Sequence, residues 1–179
     1  SVPANLGDTF VRAIAEIGRT FDLTPYGTEA LGVLRIEKGH AAGNELNGTT
    51  TAGDLGMARM MSKKKDFIGR VMAGRPGLVA PARPALVGLK PADGRSRIRA
   101  GAHLFPAGAL PIAAHDEGYV TSAAFSPTLG RPIALALLAH GPERHSEEII
   151  VHDPLRGHDV TAIVCDPVFV DPQGVRVRG

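Results

Sequence analysis

Apolar residues recur at helical spacing near the start of the chain. They would share one face of a helix that ends close to Gly18. The members of this face are Phe10, Val11, Ile14 and Ile17. Asp8 or Thr9 is a suitable N-cap, because a side-chain oxygen there can accept a hydrogen bond from a free backbone N–H. We expect absent segments or a partner to cover this apolar face.

The next apolar run predicts a buried strand that carries a carboxylate. Val33, Leu34 and Ile36 make up the run and Glu37 ends it. A buried carboxylate needs hydrogen-bond donors, because an unsatisfied buried ion is costly. Two alternatives are open at this point. Glu37 pairs with Arg35 or a lysine, or it faces a cavity in which a ligand supplies N–H groups.

The segment after this strand is irregular and polar. Residues 39–53 are rich in Gly, Asn and Thr, and such long loops often carry function. Residues 40–51 could line a pocket for a flat polar ligand. Residues 57–62 predict another strand, and residues 63–70 predict a short helix with Asp66 as its N-cap.

The composition changes between residues 74 and 84, where glycines and prolines interrupt regular structure. We therefore predict a first domain at 1–78, a linker at 79–84 and a second domain at 85–179. Short apolar strands separated by Gly, Pro and Asp predict a small antiparallel barrel or sandwich there. The predicted strands are 85–89, 101–105, 118–123, 132–138, 148–152 and 159–164.

Net charge, hydropathy and cysteine content exclude several classes of protein for this chain. A net charge of +2 over 179 residues is too small to indicate a nucleic-acid partner. No apolar stretch is long enough to cross a bilayer, which predicts no membrane partner. The single cysteine, Cys165, excludes an internal disulfide framework and fits a reducing, cytoplasmic compartment. Because the chain opens at Ser1 without methionine, we expect a piece of a longer polypeptide.

Motifs for chemistry are scarce. The seven histidines lack the paired spacing of a zinc site, so we predict no metal ligands. Ser126 is followed by proline and does not form a nucleophile elbow. A phosphate-binding loop and a dinucleotide fingerprint are also missing from the sequence. We therefore predict no catalytic residue within these residues.

Several sequence blocks resemble, in order, the second half of the aminomethyltransferase (glycine-cleavage T-protein) family. They are 32–39 (GVLRIEKG), 43–45 (GNE), 66–70 (DFIGR), 86–89 (LVGL), 118–122 (GYVTS), 125–130 (FSPTLG) and 133–136 (IALA). The resemblance implies an α+β fold. The C-terminal half of an aminomethyltransferase-like α/β folate-binding domain is then followed by a small antiparallel β-barrel.

The resemblance also implies a tetrahydrofolate site. In this family a glutamate of the strand-to-glycine motif holds the pterin ring through its N–H edge, and Glu37 occupies that place. Asn44 and Glu45 are further candidates for the wall of the folate site. Lysines 63–65 either meet the anionic glutamate tail of folate or form a solvated turn. The family's catalytic aspartate belongs to the N-terminal half, which these residues do not include.

Further blocks are similar to the C-terminal end of the alpha subunits of heterotetrameric sarcosine oxidases. They are 24–32 (TPYGTEALG), 44–51 (NELNGTTT), 63–70 (KKKDFIGR) and 165–169 (CDPVF). The similarity implies an oxidoreductase that demethylates sarcosine and captures the one-carbon unit here as 5,10-methylenetetrahydrofolate. It implies beta, gamma and delta subunits and the rest of the alpha subunit as partners, with FAD, FMN and NAD bound elsewhere. The isolated fragment is expected to be inactive. The alternatives are an aminomethyltransferase-type one-carbon transferase, or a non-catalytic folate-binding or subunit-assembly domain.

Overall fold

The computed structural model describes residues 1–178, apart from the side chain of Val177. The chain divides into two compact units, Ser1–Leu31 and Gly32–Gly179. In the first unit, helix α1 spans Gly7–Gly18 and a 3₁₀ turn follows it. The predicted first helix is confirmed, but its predicted cap is wrong, because Leu6 holds the N-cap position without a side-chain hydrogen bond.

Helix α2 spans Thr28–Glu37, so the predicted strand that ends at Glu37 is wrong. Three apolar residues in a row cannot distinguish a buried strand from one side of a helix. The end of α2 shows the signal that was missed. Gly39 has a φ of +67°, its N–H donates to Ile36 O, and the N–H of His40 donates to Arg35 O. These two bonds form a Schellman motif, which ends a helix and requires a left-handed residue.

Six strands form a closed antiparallel barrel in the order β1-β4-β3-β2-β5-β6. They are β1 (Pro84–Pro91), β2 (His103–Pro106), β3 (Gly118–Ser126), β4 (Arg131–Ala139), β5 (Glu148–Asp153) and β6 (His158–Cys165). All six predicted strands are confirmed, and the barrel alternative to a sandwich is the one observed. The α+β fold class is confirmed as well. Closure leaves no unpaired strand edge.

Strand β4 is buried on both faces, which explains its nearly continuous apolar sequence. Ala134, Ala136 and Leu138 belong to the cluster that fills the barrel. The alternate residues belong to a second cluster on the outside of the barrel: Ile133, Leu135 and Leu137, together with Ile36 of α2 and Leu86 of β1. Because strand side chains alternate between faces, one strand serves two cores. The outer cluster holds the end of α2 against the barrel.

Two further local predictions are wrong. Instead of a strand at 57–62, the structure has a 3₁₀ turn at Ala58–Met60. Instead of a helix at 63–70, helix α3 covers only Arg70–Ala73, and a short helix α4 lies at Val175–Arg178. Ser62 Oγ accepts hydrogen bonds from the N–H groups of Lys64 and Lys65, which shapes a local turn in place of a helix. No helix within residues 1–178 has the length and apolar character needed to cross a membrane.

Candidate functional site

The three candidate ligand-binding residues lie along the outer side of strand β3. Glu37 ends α2, whereas Asn44 and Glu45 belong to the 3₁₀ turn Gly43–Glu45. Each one makes a hydrogen bond to β3, at Ser126, Thr121 and Ser122 respectively. The structure therefore brings together residues that the sequence nominated separately.

Glu37 is buried, with 4% of its surface exposed, and two hydroxyl groups donate to its carboxylate. Ser126 Oγ lies 2.5 Å from one carboxylate oxygen, and Thr128 Oγ1 lies 3.1 Å from the other. Ser126 Oγ also accepts a hydrogen bond from the N–H of Leu129 at 3.0 Å. The turn between β3 and β4 is thus built around this carboxylate. Since a carboxylate can accept about four hydrogen bonds, part of its capacity is unused.

These contacts correct the sequence-based account of how Glu37 is satisfied. Within the described residues, Arg35 pairs with Glu45 and Lys38 pairs with Asp171, and neither pairs with Glu37. The hydroxyl partners were missed because Ser126 is 89 positions away in the chain. Only the packing of α2 on the barrel brings them into contact. The turn sequence 125–130 was visible as a signal, but nothing local linked it to Glu37.

Glu45 is the fully buried member of a polar network, with 0% of its surface exposed. Arg35 Nη1 donates to it at 3.0 Å, Ser122 Oγ at 2.6 Å and the N–H of Ala42 at 2.9 Å. Arg35 Nη2 also donates to Ser122 Oγ at 2.6 Å, which closes a ring of hydrogen bonds. This network fixes α2, the Gly43–Glu45 turn and β3 to one another.

The network keeps Glu45 ionised. Burial raises the pKa of the Glu45 carboxyl, because a low dielectric disfavours its charged form. Hydrogen bonds from Ser122 and the N–H of Ala42, together with the charge of Arg35, outweigh burial, and the pKa falls below its ordinary value. At neutral pH the group is therefore an anion held by the protein itself.

Asn44 is the most accessible of the three candidates. Its amide Nδ2 donates to Thr121 O at 3.1 Å, while the residue is exposed to solvent. In the same loop, Asn47 Nδ2 donates to the Tyr119 hydroxyl at 3.1 Å. These bonds fasten the 40–51 loop to β3. Lysines 63–65 are exposed side chains of the segment that follows.

Among the described residues of the second unit, one cavity has a volume of about 760 Å³ and another of about 340 Å³, and Glu37, Asn44 and Glu45 line neither of them. The smaller cavity includes Asp54 and Arg83, whose side chains pair at 2.5 Å. Burial raises the pKa of Asp54, but hydrogen bonds from Arg83 and Thr51 bring it below its ordinary value. Across the part of the chain that is described, no group of three metal-ligating side chains converges.

Two family models match most of the chain. Residues 1–65 match the GCVT N-terminal domain, and residues 85–171 match the glycine cleavage T-protein C-terminal barrel domain. The second match coincides with the six-stranded barrel. Both matches agree with the resemblance drawn from the sequence blocks.

Curated relatives extend the same similarity to nearly the whole chain. Sarcosine oxidase subunit alpha of Rhizobium meliloti (strain 1021) is 48% identical over 99% of this chain and 18% of its own length. The subunit of the same name from Corynebacterium sp. (strain U-96) is 38% identical over 100% of this chain and 19% of its own. Aminomethyltransferase of Streptomyces coelicolor is 34% identical over 88% of this chain and 42% of its own. The chain thus spans about a fifth of the length of the sarcosine oxidase subunits that it matches.

A solved structure shows the same architecture. The glycine cleavage system aminomethyltransferase T from Bartonella henselae matches with a TM-score of 0.72 and 28% identity. The match covers 90% of this chain and 44% of that chain. These three comparisons agree. The two domain models match in the expected order, and the relatives and the solved structure each match most of this chain. The chain therefore belongs to the glycine cleavage T-protein (aminomethyltransferase) family.

Proposed function

We propose that this chain is the C-terminal part of a sarcosine oxidase alpha subunit and forms part of its tetrahydrofolate site. The observation that carries this proposal is the 48% identity to a sarcosine oxidase subunit alpha over 99% of the chain. In the whole protein, oxidative demethylation of sarcosine would supply a one-carbon unit, which tetrahydrofolate takes up as 5,10-methylenetetrahydrofolate. FAD, FMN and NAD would bind elsewhere, on the rest of the alpha subunit or on the beta, gamma and delta subunits.

The chemistry of Glu37 supports a contact with the pterin ring. A pterin edge presents N–H and amino groups, and a carboxylate is an acceptor for such donors. Ser126 and Thr128 use one bond each on the two oxygens, so acceptor capacity is left for a ligand. Glu37 lines neither of the two cavities described above, so in this proposal other parts of the whole protein complete the folate site.

Asn44 and Glu45 enter the proposal in different ways. Asn44 is exposed, and its amide Nδ2 donates a hydrogen bond to Thr121 O. Its amide oxygen is therefore available to accept a hydrogen bond from a ligand at the loop wall. Glu45 is already bound by Arg35, Ser122 and Ala42. We therefore assign Glu45 a positioning role, in which it holds the turn that carries Asn44.

The test is a titration of tetrahydrofolate into the complete assembled enzyme, with wild type, Glu37→Gln and Ser126→Ala compared. We expect Glu37→Gln to weaken folate binding by about 1–3 kcal/mol, the cost of leaving buried hydrogen-bonding groups unpaired. Ser126→Ala removes a protein partner of the same carboxylate without removing the carboxylate. It should lower the thermal midpoint and change folate affinity much less. Unchanged affinity in Glu37→Gln would remove Glu37 from the folate site.

The matched control for the charge change is Glu143→Gln, because the Glu143 side chain is 76% exposed. This variant should bind tetrahydrofolate like wild type. If Glu37→Gln and Ser126→Ala lose affinity equally, Glu37 acts only by holding the β3–β4 turn, and the direct contact is wrong.

An aminomethyltransferase-type transferase is the second candidate function. It is favoured by the 34% identity to an aminomethyltransferase over 88% of this chain. Oxygen consumption with sarcosine decides between the two, because a transferase without a flavin cannot pass electrons to oxygen. Peroxide formed from sarcosine by the complete protein supports the oxidase, and one-carbon transfer without oxygen uptake supports the transferase.

A further inference from the structure

A cleft opens at one end of the barrel, and neither Glu37 nor its partners Ser126 and Thr128 line it. We call it the arginine cleft, and its volume is about 760 Å³. It is lined by residues 95 and 97–101 of the β1–β2 connection, 123–125 of β3, Pro132 of β4, Asp153 at the end of β5 and 154–156 of the β5–β6 turn. Small-molecule sites typically have volumes of about 300–1,000 Å³, so this cleft is large enough for one.

Positive charge is concentrated in this cleft. Its lining holds four arginines and one aspartate, whereas the whole chain carries a net charge of only +2. The arginines are Arg95, Arg97, Arg99 and Arg156. They come from two segments that are far apart in sequence, and acidic residues lie between the basic ones along the chain. The sequence alone therefore did not show that these arginines form one positive cleft. A cleft lined by one sign of charge attracts ligands of the opposite sign.

The one acidic residue organises two of the arginines and leaves the other two available. Asp153 is 8% exposed, and its carboxylate lies 3.1 Å from Arg156 Nη1 and 3.7 Å from Arg99 Nε. Its other oxygen accepts the N–H of Leu155 at 3.1 Å, which shapes the β5–β6 turn. Arg95 and Arg97 are exposed, and within residues 1–178 neither has a carboxylate partner at ion-pair distance.

The floor of the arginine cleft is apolar. Ile98 is 3% exposed and belongs to the barrel core, and Ala123 packs against the same core. Phe125 and Leu155 also line the cleft, yet they are 59% and 89% exposed. An apolar floor below a rim of guanidinium groups matches a ligand that has an apolar body and anionic groups at its edge. Guanidinium forks bind planar carboxylates and phosphates in a bidentate manner.

We propose that the arginine cleft binds a small ligand in which an apolar body carries two or more carboxylate or phosphate groups. Arg95 and Arg97 supply the free guanidinium groups, and Phe125 and Leu155 contact the apolar body. The two sites use different residues, because Glu37 is held by Ser126 and Thr128, and neither of these lines the cleft.

The test is isothermal titration of the complete protein with three probes. Trimesate is an aromatic tricarboxylate, inorganic pyrophosphate is a compact anion without an apolar body, and hexaglutamate stands for an acidic protein segment. We expect saturable binding of trimesate that is tighter than that of pyrophosphate, because only trimesate offers an apolar body to Phe125 and Leu155. The double variant Arg95→Ala/Arg97→Ala should weaken that binding about tenfold or more, since two charge-assisted contacts are lost.

The matched control is Arg59→Ala/Arg75→Ala, which removes the same charge from two exposed arginines that do not line the cleft. The proposal is overturned if the control weakens binding as much as the cleft variant, because net charge alone then explains the effect. It is also overturned if trimesate does not saturate, if pyrophosphate binds as tightly as trimesate, or if hexaglutamate alone binds. A changed folate affinity in Glu37→Gln leaves this result untouched, so the two proposals fail independently.

Discussion

Replacing Glu45 by methionine is the most direct test of how α2 and its following turn are held on the barrel. The substitution keeps the size of the side chain and removes the acceptor for three donors, namely Arg35, Ser122 and the N–H of Ala42. Removing one partner of a buried ion pair costs about 3–5 kcal/mol. Because the Arg35 side chain is 24% exposed, water compensates part of this loss. We therefore expect Glu45→Met to lower the free energy of unfolding by an amount near the lower limit, about 3 kcal/mol.

Hydrogen exchange of the β3 and β4 amides in the complete protein measures this loss locally, since it reports the free energy of opening each region. The double variant Arg35→Met/Glu45→Met should be less destabilised than Glu45→Met alone, because it removes the unpaired guanidinium. Glu143→Gln, at an exposed position, should lie within about 0.5 kcal/mol of wild type.

The pH dependence gives an independent check. The folded pKa of Glu45 is lowered, so its contribution is complete above the ordinary glutamate value of about 4.3 and is lost as pH falls through the folded pKa. The difference between wild type and Glu45→Met should therefore shrink below about pH 4.3. A free-energy change under about 0.5 kcal/mol in Glu45→Met, or a difference that grows on acidification, would refute this account of the network.

Two further predictions concern the barrel. Gly118→Ala should destabilise the protein by about 2–4 kcal/mol, because a Cβ there would lie 2.0 Å from Leu137 O and force β3 away from β4. Gly48→Ala, which meets no atom within 4 Å, should change the unfolding midpoint little. Burial raises the pKa of the Cys165 thiol, so the folded protein should react slowly with a disulfide reagent at pH 8 and faster once unfolded. Equal rates in the two states would contradict the partial burial of Cys165.

Local patterns were sufficient for the six strands and for α1. The six strands followed from short apolar runs between Gly, Pro and Asp turns, and α1 followed from helical spacing. The same reasoning failed for α2, because its apolar run is short and its decisive feature is the capping motif at Gly39. The predicted helix at 63–70 was also wrong, because Ser62 Oγ accepts hydrogen bonds from the N–H groups of Lys64 and Lys65 and forms a local turn there.

For the candidate site, too, the sequence predicted what depends on neighbouring residues and missed what depends on contacts between distant ones. The sequence blocks and their order were enough to identify the family, and the domain matches confirm it. The proposed boundaries at 78 and 84 and the folate roles of Glu37, Asn44 and Glu45 stay predictions. The burial of Glu37 was inferred correctly from its apolar neighbours, but its hydroxyl partners were not.

The sequence by itself determined the fold class, the number of barrel strands and the family, because these depend on patterns within short windows of the chain. Only the tertiary structure decided which groups donate hydrogen bonds to the buried carboxylates and where the arginines lie together. Ser126 at the end of β3 meets Glu37, and Arg156 of the β5–β6 turn joins Arg95 and Arg97 of the β1–β2 connection. Such contacts depend on the register and closure of the barrel. A local run of residues specifies neither the register nor the closure.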